Sequence, residues 1–264
     1  MFTVNSRATR QPYPAALQQI LSVAHAQEDL QWLRHWDGIA PQATPLYQMP
    51  QLAAELGVAA FAIKDEGVRS PLASFKALGA PIALIRSLLR NWQGACDVAT
   101  LVRGGYRQRL ADVTVISATD GNHGRALAAA AQSIGCRCVI VLHAQVSRER
   151  ELAIAAYGAE IVRIAGNYDD SVVEAARLAD ANGWQVISDT SYEGYEVIPA
   201  DVMQGYSIIV DEIMAQQSAP FSHIFLQGGV GGMAAGIASY VWETYGAQRP
   251  IMVVVEPTQA DCLH

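Results

Sequence analysis

The sequence is short of lysine: of its 18 basic residues only Lys64 and Lys76 are lysines, and arginine supplies the rest. Basic residues are also outnumbered by 25 acidic ones, which leaves a net charge of −7. No Lys/Arg cluster relieves that balance. An acidic chain without a basic groove repels a phosphate backbone, which argues against a nucleic-acid partner. No apolar run reaches the ~18 residues that a membrane span requires. The stretch from Met1 to Pro14 lacks the apolar core of a secretory signal. These absences together predict a cytoplasmic protein.

Cysteine is scarce too. Cys96, Cys136, Cys138 and Cys262 match no zinc spacing, and Cys136 and Cys138 sit beside an apparent strand. They read as reduced thiols that behave as small buried hydrophobes. The six histidines, His25, His35, His123, His143, His223 and His264, show no ligand spacing, so no metal is predicted. Charged residues make up only 16% of the chain against 51% hydrophobic ones. That balance gives 264 residues a generous core, in two small domains or one large one. Internal repeats and low-complexity segments are absent.

What is present is alternation. Short apolar runs at Ala59–Ile63, Val113–Ser117, Cys138–Leu142, Ala159–Ile164, Trp184–Ser188, His223–Gln227 and Ile251–Val255 read as strands. Between them, Ser74–Arg90, Asn122–Ile134, Ser147–Tyr157, Asp170–Ala181, Pro199–Gln217 and Gly232–Tyr245 read as helices. The strands are continuous apolar runs, so both faces are expected to be buried. Strand-helix alternation of this kind predicts an α/β protein with parallel sheets covered by helices. Ligands in such folds bind beyond the carboxyl ends of the strands. Trp92–Arg109 carries three glycines and little periodicity, and reads as an insertion or loop. No closing helix follows the last strand, so the sheet is expected to lack its final elements and the chain to be a fragment.

Four segments carry chemistry. Lys76 stands at a helix start among Phe75, Ala77 and Leu78, a poor place for a solvated charge. Desolvation there favours the neutral amine that imine chemistry needs, although an ordinary helix-start lysine has the same appearance. Asp120-Gly121-Asn122-His123-Gly124 follows a strand, where glycines let backbone N–H groups approach a ligand; a plain helix cap is the alternative. Gly228-Gly229-Val230-Gly231-Gly232 lies between a strand and a helix, a phosphate-binding arrangement. Its spacing is not that of a dinucleotide-binding turn, and no Walker lysine follows. Asp189-Thr190-Ser191-Tyr192-Glu193-Gly194-Tyr195 places two carboxylates after a strand, either for acid-base work or as a polar loop.

Taken in order, Lys64-Asp65-Glu66, Ser74-Phe75-Lys76-Ala77-Leu78-Gly79-Ala80, Gly121-Asn122-His123-Gly124 and the Gly228–Gly232 loop resemble the pyridoxal-phosphate enzymes of the tryptophan-synthase-β type. That family includes threonine dehydratase and cysteine synthase. Within it the chain resembles the diaminopropionate ammonia-lyases most. This narrower likeness is carried by Ala118 to Arg125, by Asn167-Tyr168-Asp169-Asp170, and by Asp189-Thr190 with Glu193-Gly194-Tyr195. It continues through Ile198-Pro199 to Met203-Gln204-Gly205-Tyr206. Dehydratases usually carry a small residue where Asp120 stands.

The resemblance implies two three-layer α/β domains: residues 1–84 plus 195–264 as a larger, incomplete cofactor domain, and 85–194 as a smaller one. It implies pyridoxal 5'-phosphate held covalently by Lys76, its ring oxygen facing Asn122, its phosphate on Gly229, Val230, Gly231, Gly232 and Met233. The activity implied is α,β-elimination on D- and L-2,3-diaminopropionate, giving pyruvate and ammonia. Asp120 is then the base for the D isomer and Asp189 the base for the L isomer. A homodimer is implied as well. Two departures stand out: His143-Ala144-Gln145 replaces a Pro-containing turn, and Tyr192 replaces a usual tryptophan. The family also continues well over a hundred residues beyond this end. A serine/threonine dehydratase-like lyase, or an inactive truncated remnant of the fold, are the alternatives.

Overall fold

The computed structural model describes residues 3–263 apart from Pro41 and Ser218; His264 lies outside the described residues. The chain opens with α1 (Ala15–Gln18), α2 (Val23–Leu33), β1 (Leu46–Gln48), α3 (Pro50–Leu56) and β2 (Ala62–Lys64). The long α4 (Lys76–Arg90) follows, then the short α5 (Val98–Val102) and α6 (Arg107–Leu110). A strand-helix series comes next: β3 (Thr114–Ala118), α7 (Asn122–Ile134), β4 (Arg137–Leu142), α8 (Arg148–Ala155), β5 (Glu160–Arg163), α9 (Tyr168–Asn182) and β6 (Gln185–Val186). The last part holds α10 (Val197–Tyr206), α11 (Ile208–Gln216), β7 (His223–Gln227), α12 (Gly232–Tyr245) and β8 (Ile251–Val255).

The central sheet runs β5-β4-β3-β6, all parallel. Every residue of β3 is buried, as is every residue of β4 after Arg137. The pleat explains why these runs are apolar throughout. Ile116, Ala118, Val139 and Val141 face Ala175 and Ala179 of α9. Val115, Cys138, Ile140 and Leu142 face the other way, into the main core with the alanines of α7. β7 and β8 form a separate parallel pair, and β1 pairs with β2 antiparallel. The fold is α/β with mostly parallel sheets, as the alternation predicts.

α4 is a buried beam flanked by other helices. All residues from Ala77 to Ile85 are buried, and α7 and α10 pack against it from different sides. Its crossing with α10 is tight because two glycines meet there. A Cβ on Gly79 would lie 2.5 Å from the Tyr206 ring, and one on Gly205 would lie 2.5 Å from the carbonyl oxygen of Leu78.

Several expectations need correction. β7 and β8 are not buried on both faces: Phe225 is 63% exposed, and Ile251, Val254 and Val255 are exposed as well. Ile224, Leu226 and Met252 do pack into the core, but no described element covers the outer side. Pro199–Gln217 is two helices, not one; they meet at Ser207, whose hydroxyl donates to the Gly236 carbonyl at 3.2 Å. Trp92–Arg109 is not a bare loop but contains α5 and the start of α6. Cys136 and Cys138 are buried, yet Cys262 is exposed. Burial pushes the Cys136 thiol up to about 11 and raises that of Cys138 as well, so both are inert. Among the described residues no helix is long and apolar enough to cross a membrane.

Candidate active site

The two lysines have different surroundings. Lys64, at the end of β2, is committed: its Nζ donates to Glu212 at 2.7 Å and to the Thr44 carbonyl at 2.7 Å. Glu212 also accepts two bonds from the buried Arg69, at 2.6 and 2.7 Å, and Arg69 is held by Glu66 as well. This network ties the loop after β2 to α11, so the loop enters α4 from a fixed point. Ala73, the only non-glycine residue with positive φ among those described (φ 50), makes the sharp turn into the helix. The Ser74 hydroxyl then accepts the Lys76 N–H at 3.2 Å.

Lys76 is the first residue of α4, and its Nζ lies 2.6 Å from Asp189 Oδ2. The two side chains are 20% and 11% exposed. The ammonium also sits 5.5 Å from the ring centres of Phe75 and Tyr206, which meet edge to face. Burial alone would raise the Asp189 carboxyl. The positive charge that His123 carries when protonated, the charge of Lys76 and the bond from Lys76 outweigh it and bring the group down to about 2. Asp189 is therefore an anion at neutral pH, charge-paired with the amine.

Asp189 stands three residues past β6, in a loop held by its neighbours. The Tyr195 hydroxyl accepts the Ser188 N–H at 2.8 Å and donates to the Val186 carbonyl at 3.1 Å. The Tyr168 hydroxyl and the Thr190 hydroxyl bond at 3.1 Å. His123 is buried; its Nε2 donates to the Ile187 carbonyl at 2.9 Å, while Nδ1 has no hydrogen-bond partner and lies 3.7 Å from Asp189.

The turn after β3 is organised by Thr119, not by Asp120 or Asn122. The Thr119 hydroxyl accepts the N–H groups of Gly121 and Gly124 at 3.1 and 3.2 Å, so the helix start is capped from Thr119 and neither Asp120 nor Asn122 is the capping side chain. Gly121 has φ 152, which asks for glycine. Asn122 begins α7 and is exposed. The Asp120 side chain is 63% exposed and accepts from His143 Nε2 at 2.7 Å.

The glycine loop joins the same region through Tyr206. A Cβ on Gly232 would lie 3.7 Å from the Tyr206 ring, the ring that also borders Lys76 Nζ. Gly231 has φ 86 and precedes α12, a helix with no side-chain cap. Gly229 has open space where a side chain would be. Uncapped N–H groups at the start of a 14-residue helix suit an anion. Met233, in the first turn, is buried, and Val230 is exposed.

The structure thus brings Lys76, Asp189 and His123 into contact and sets the glycine loop across Tyr206 from them. Asp120 sits on the neighbouring strand end. Tyr168 is near both carboxylates: burial raises its hydroxyl, and Asp189 and Asp120 each add to that. Glu193, the other carboxylate of the Asp189 loop, is exposed. Sequence reasoning gave no role to Tyr206 or His143. For His143 a signal existed: it directly follows β4, as Asp120 closely follows β3, and adjacent parallel strands in register bring such residues together. Among the described residues no group of three or more His, Cys, Asp or Glu is placed to hold a metal ion.

Comparison with known proteins gives a consistent neighbourhood. Residues 39–264 match the family described as pyridoxal-phosphate dependent enzyme. Diaminopropionate ammonia-lyase of Salmonella typhimurium is 37% identical over 230 residues, covering 84% of this chain and 56% of that protein. The apo crystal structure of Escherichia coli diaminopropionate ammonia lyase superposes with a TM-score of 0.87 at 34% identity, over 97% of this chain and 68% of that one. The same enzyme with an aminoacrylate-PLP azomethine reaction intermediate gives a TM-score of 0.83 at 36% identity, over 92% and 62%. The chain therefore spans little more than half the length of the curated relative.

Proposed function

Because the chain belongs to the pyridoxal-phosphate-dependent enzyme family, we propose that it acts on 2,3-diaminopropionate by α,β-elimination, releasing pyruvate and ammonia. The observation that carries this reading is the Lys76 amine, paired with Asp189 at 2.6 Å and flanked by a ring that also borders the glycine loop. The residues fit the cofactor: an amine to hold it, an aromatic wall beside that amine, and an uncapped helix start for a phosphate. Lys76, Asn122 and the Gly229, Val230, Gly231, Gly232, Met233 segment would hold it. When bound, pyridoxal phosphate supplies the electron sink for loss of a proton from Cα.

Two carboxylates then divide the labour, since opposite enantiomers present that proton to opposite faces. Asp189 would take it from the L isomer and Asp120 from the D isomer. A carboxylate near 2 is a weak base, but the depression comes from neighbouring positive charge. Once Lys76 gives up its charge, its share of that depression is lost, and Asp189 gains basicity where it is needed. We assign residues 85–194, which contain the whole β5-β4-β3-β6 sheet, to the smaller domain, and 1–84 with 195–264 to the larger.

The test begins with the purified chain and added pyridoxal phosphate. A visible absorption band is expected, and Lys76→Ala should abolish it. Pyruvate release should be faster from D- or L-diaminopropionate than from serine. A colourless protein would mark a remnant without cofactor chemistry, and serine turnover far above that of diaminopropionate would mark a dehydratase.

A further inference from the structure

Asp120 and Asp189 are ordered by different means. Asp189 is clamped by Lys76 and is nearly buried. Asp120 is mostly exposed, and no lysine or arginine among the described residues pairs with its carboxylate. Free rotation about its side-chain bonds would spread that carboxylate over many directions, a poor condition for a base. One contact prevents this: the 2.7 Å bond to His143 Nε2.

His143 is built to donate. It is buried at the end of β4, and its Nδ1 accepts the backbone N–H of Gln145 at 3.3 Å. With Nδ1 engaged as an acceptor, the neutral tautomer that fits both contacts carries its proton on Nε2, aimed at Asp120. The ring is braced by Tyr168, which meets it edge to face at 6.5 Å and is itself tied to Thr190 beside Asp189. Arg150 fixes the main chain of the same residue, reaching the Asp120 carbonyl at 3.3 Å.

We infer that His143 is a positioning residue for Asp120, holding one carboxylate oxygen so that the other faces the substrate, and so sets turnover of the D isomer apart from that of the L isomer. The inference rests on the reading of Asp120 as the D-side base.

The test compares His143→Phe with His143→Gln. Phenylalanine keeps an aromatic ring and loses the donor, whereas the glutamine amide can still donate to the carboxylate. His143→Phe should lower kcat/KM for the D isomer by roughly tenfold or more, the loss expected when a hydrogen bond to a charged group is removed. The L isomer should be affected far less, and His143→Gln should recover most of the D-isomer activity. Equal losses on both isomers, or none on either, would overturn the inference. A second readout needs neither cofactor nor substrate. Long-range proton–nitrogen spectra should show the Nε2–H tautomer of His143, with a pattern that changes in Asp120→Asn. An Nδ1–H tautomer would overturn the pairing. If the unsubstituted protein turns over neither isomer, the elimination reading falls and takes the isomer split with it. The Asp120-dependent Nε2–H signal then separates that failure from a mispaired His143.

Discussion

Replacing Asp189 with asparagine tests the energetic core of the site without any ligand. The Asp189 carboxyl is at about 2 in the folded protein against an ordinary 3.8. That gap corresponds to roughly 2 kcal/mol of stability at neutral pH. Because the folded value lies below the unfolded one, the contribution is whole above about pH 5 and is lost as pH falls through 4 toward 2; at pH 3 about half of it remains. An asparagine side chain cannot titrate, so the variant lacks this pH-dependent part. The substitution also leaves the Lys76 ammonium facing a neutral amide, which adds an offset that does not vary over this acid range. The signature is therefore a slope. Urea unfolding of both proteins at pH 5, 4 and 3 should show a stability difference that narrows by about 1 kcal/mol between pH 5 and pH 3. A difference that stays the same from pH 5 to pH 3 would show that Asp189 is not held as a low-titrating anion.

Two further substitutions probe the frame around it. Gly79→Ala places a Cβ 2.5 Å from the Tyr206 ring and 2.8 Å from Val202. The strain should exceed the gain in helix propensity and cost about 1–3 kcal/mol in denaturant unfolding, with a change in near-ultraviolet circular dichroism as Tyr206 shifts; an unchanged spectrum and stability would contradict the tight crossing. Glu212→Gln leaves Lys64 and the buried Arg69 without their shared anion. It should cost about 3 kcal/mol or more, and a loss under about 1 kcal/mol would show that the network contributes little.

Much of the fold was legible because the physics that shapes it is local. The runs at β7, α12 and β8 were read with their true boundaries, since each is a continuous apolar or glycine-led segment between polar turns. The break between α10 and α11 was not legible: Ser207 keeps helical backbone angles (φ −61, ψ −22), and the apolar pattern runs through it. Exposure of Phe225 and Val255 was also hidden, because composition says that a strand is apolar, not whether anything covers it. At the site, Lys76 and Asp189 were each singled out, yet they are 113 residues apart and nothing in the pattern pairs them. The Asp120–His143 bond depends on strand order, which the sequence leaves open.

The poverty in lysine has a practical corollary. A protease that cuts only after lysine has two sites in this chain, at Lys64 and Lys76, and so excises a 12-residue peptide between them. Lys64 is locked among Glu212, Thr44 and Gln216, which leaves Lys76 as the side-chain amine open to chemistry. If a cofactor is fixed there by reduction, cleavage at that point is blocked, and the short peptide gives way to one running from Asp65 to the end of the chain. A single mass spectrum of the digest then reports which amine reacted, and in what fraction of molecules.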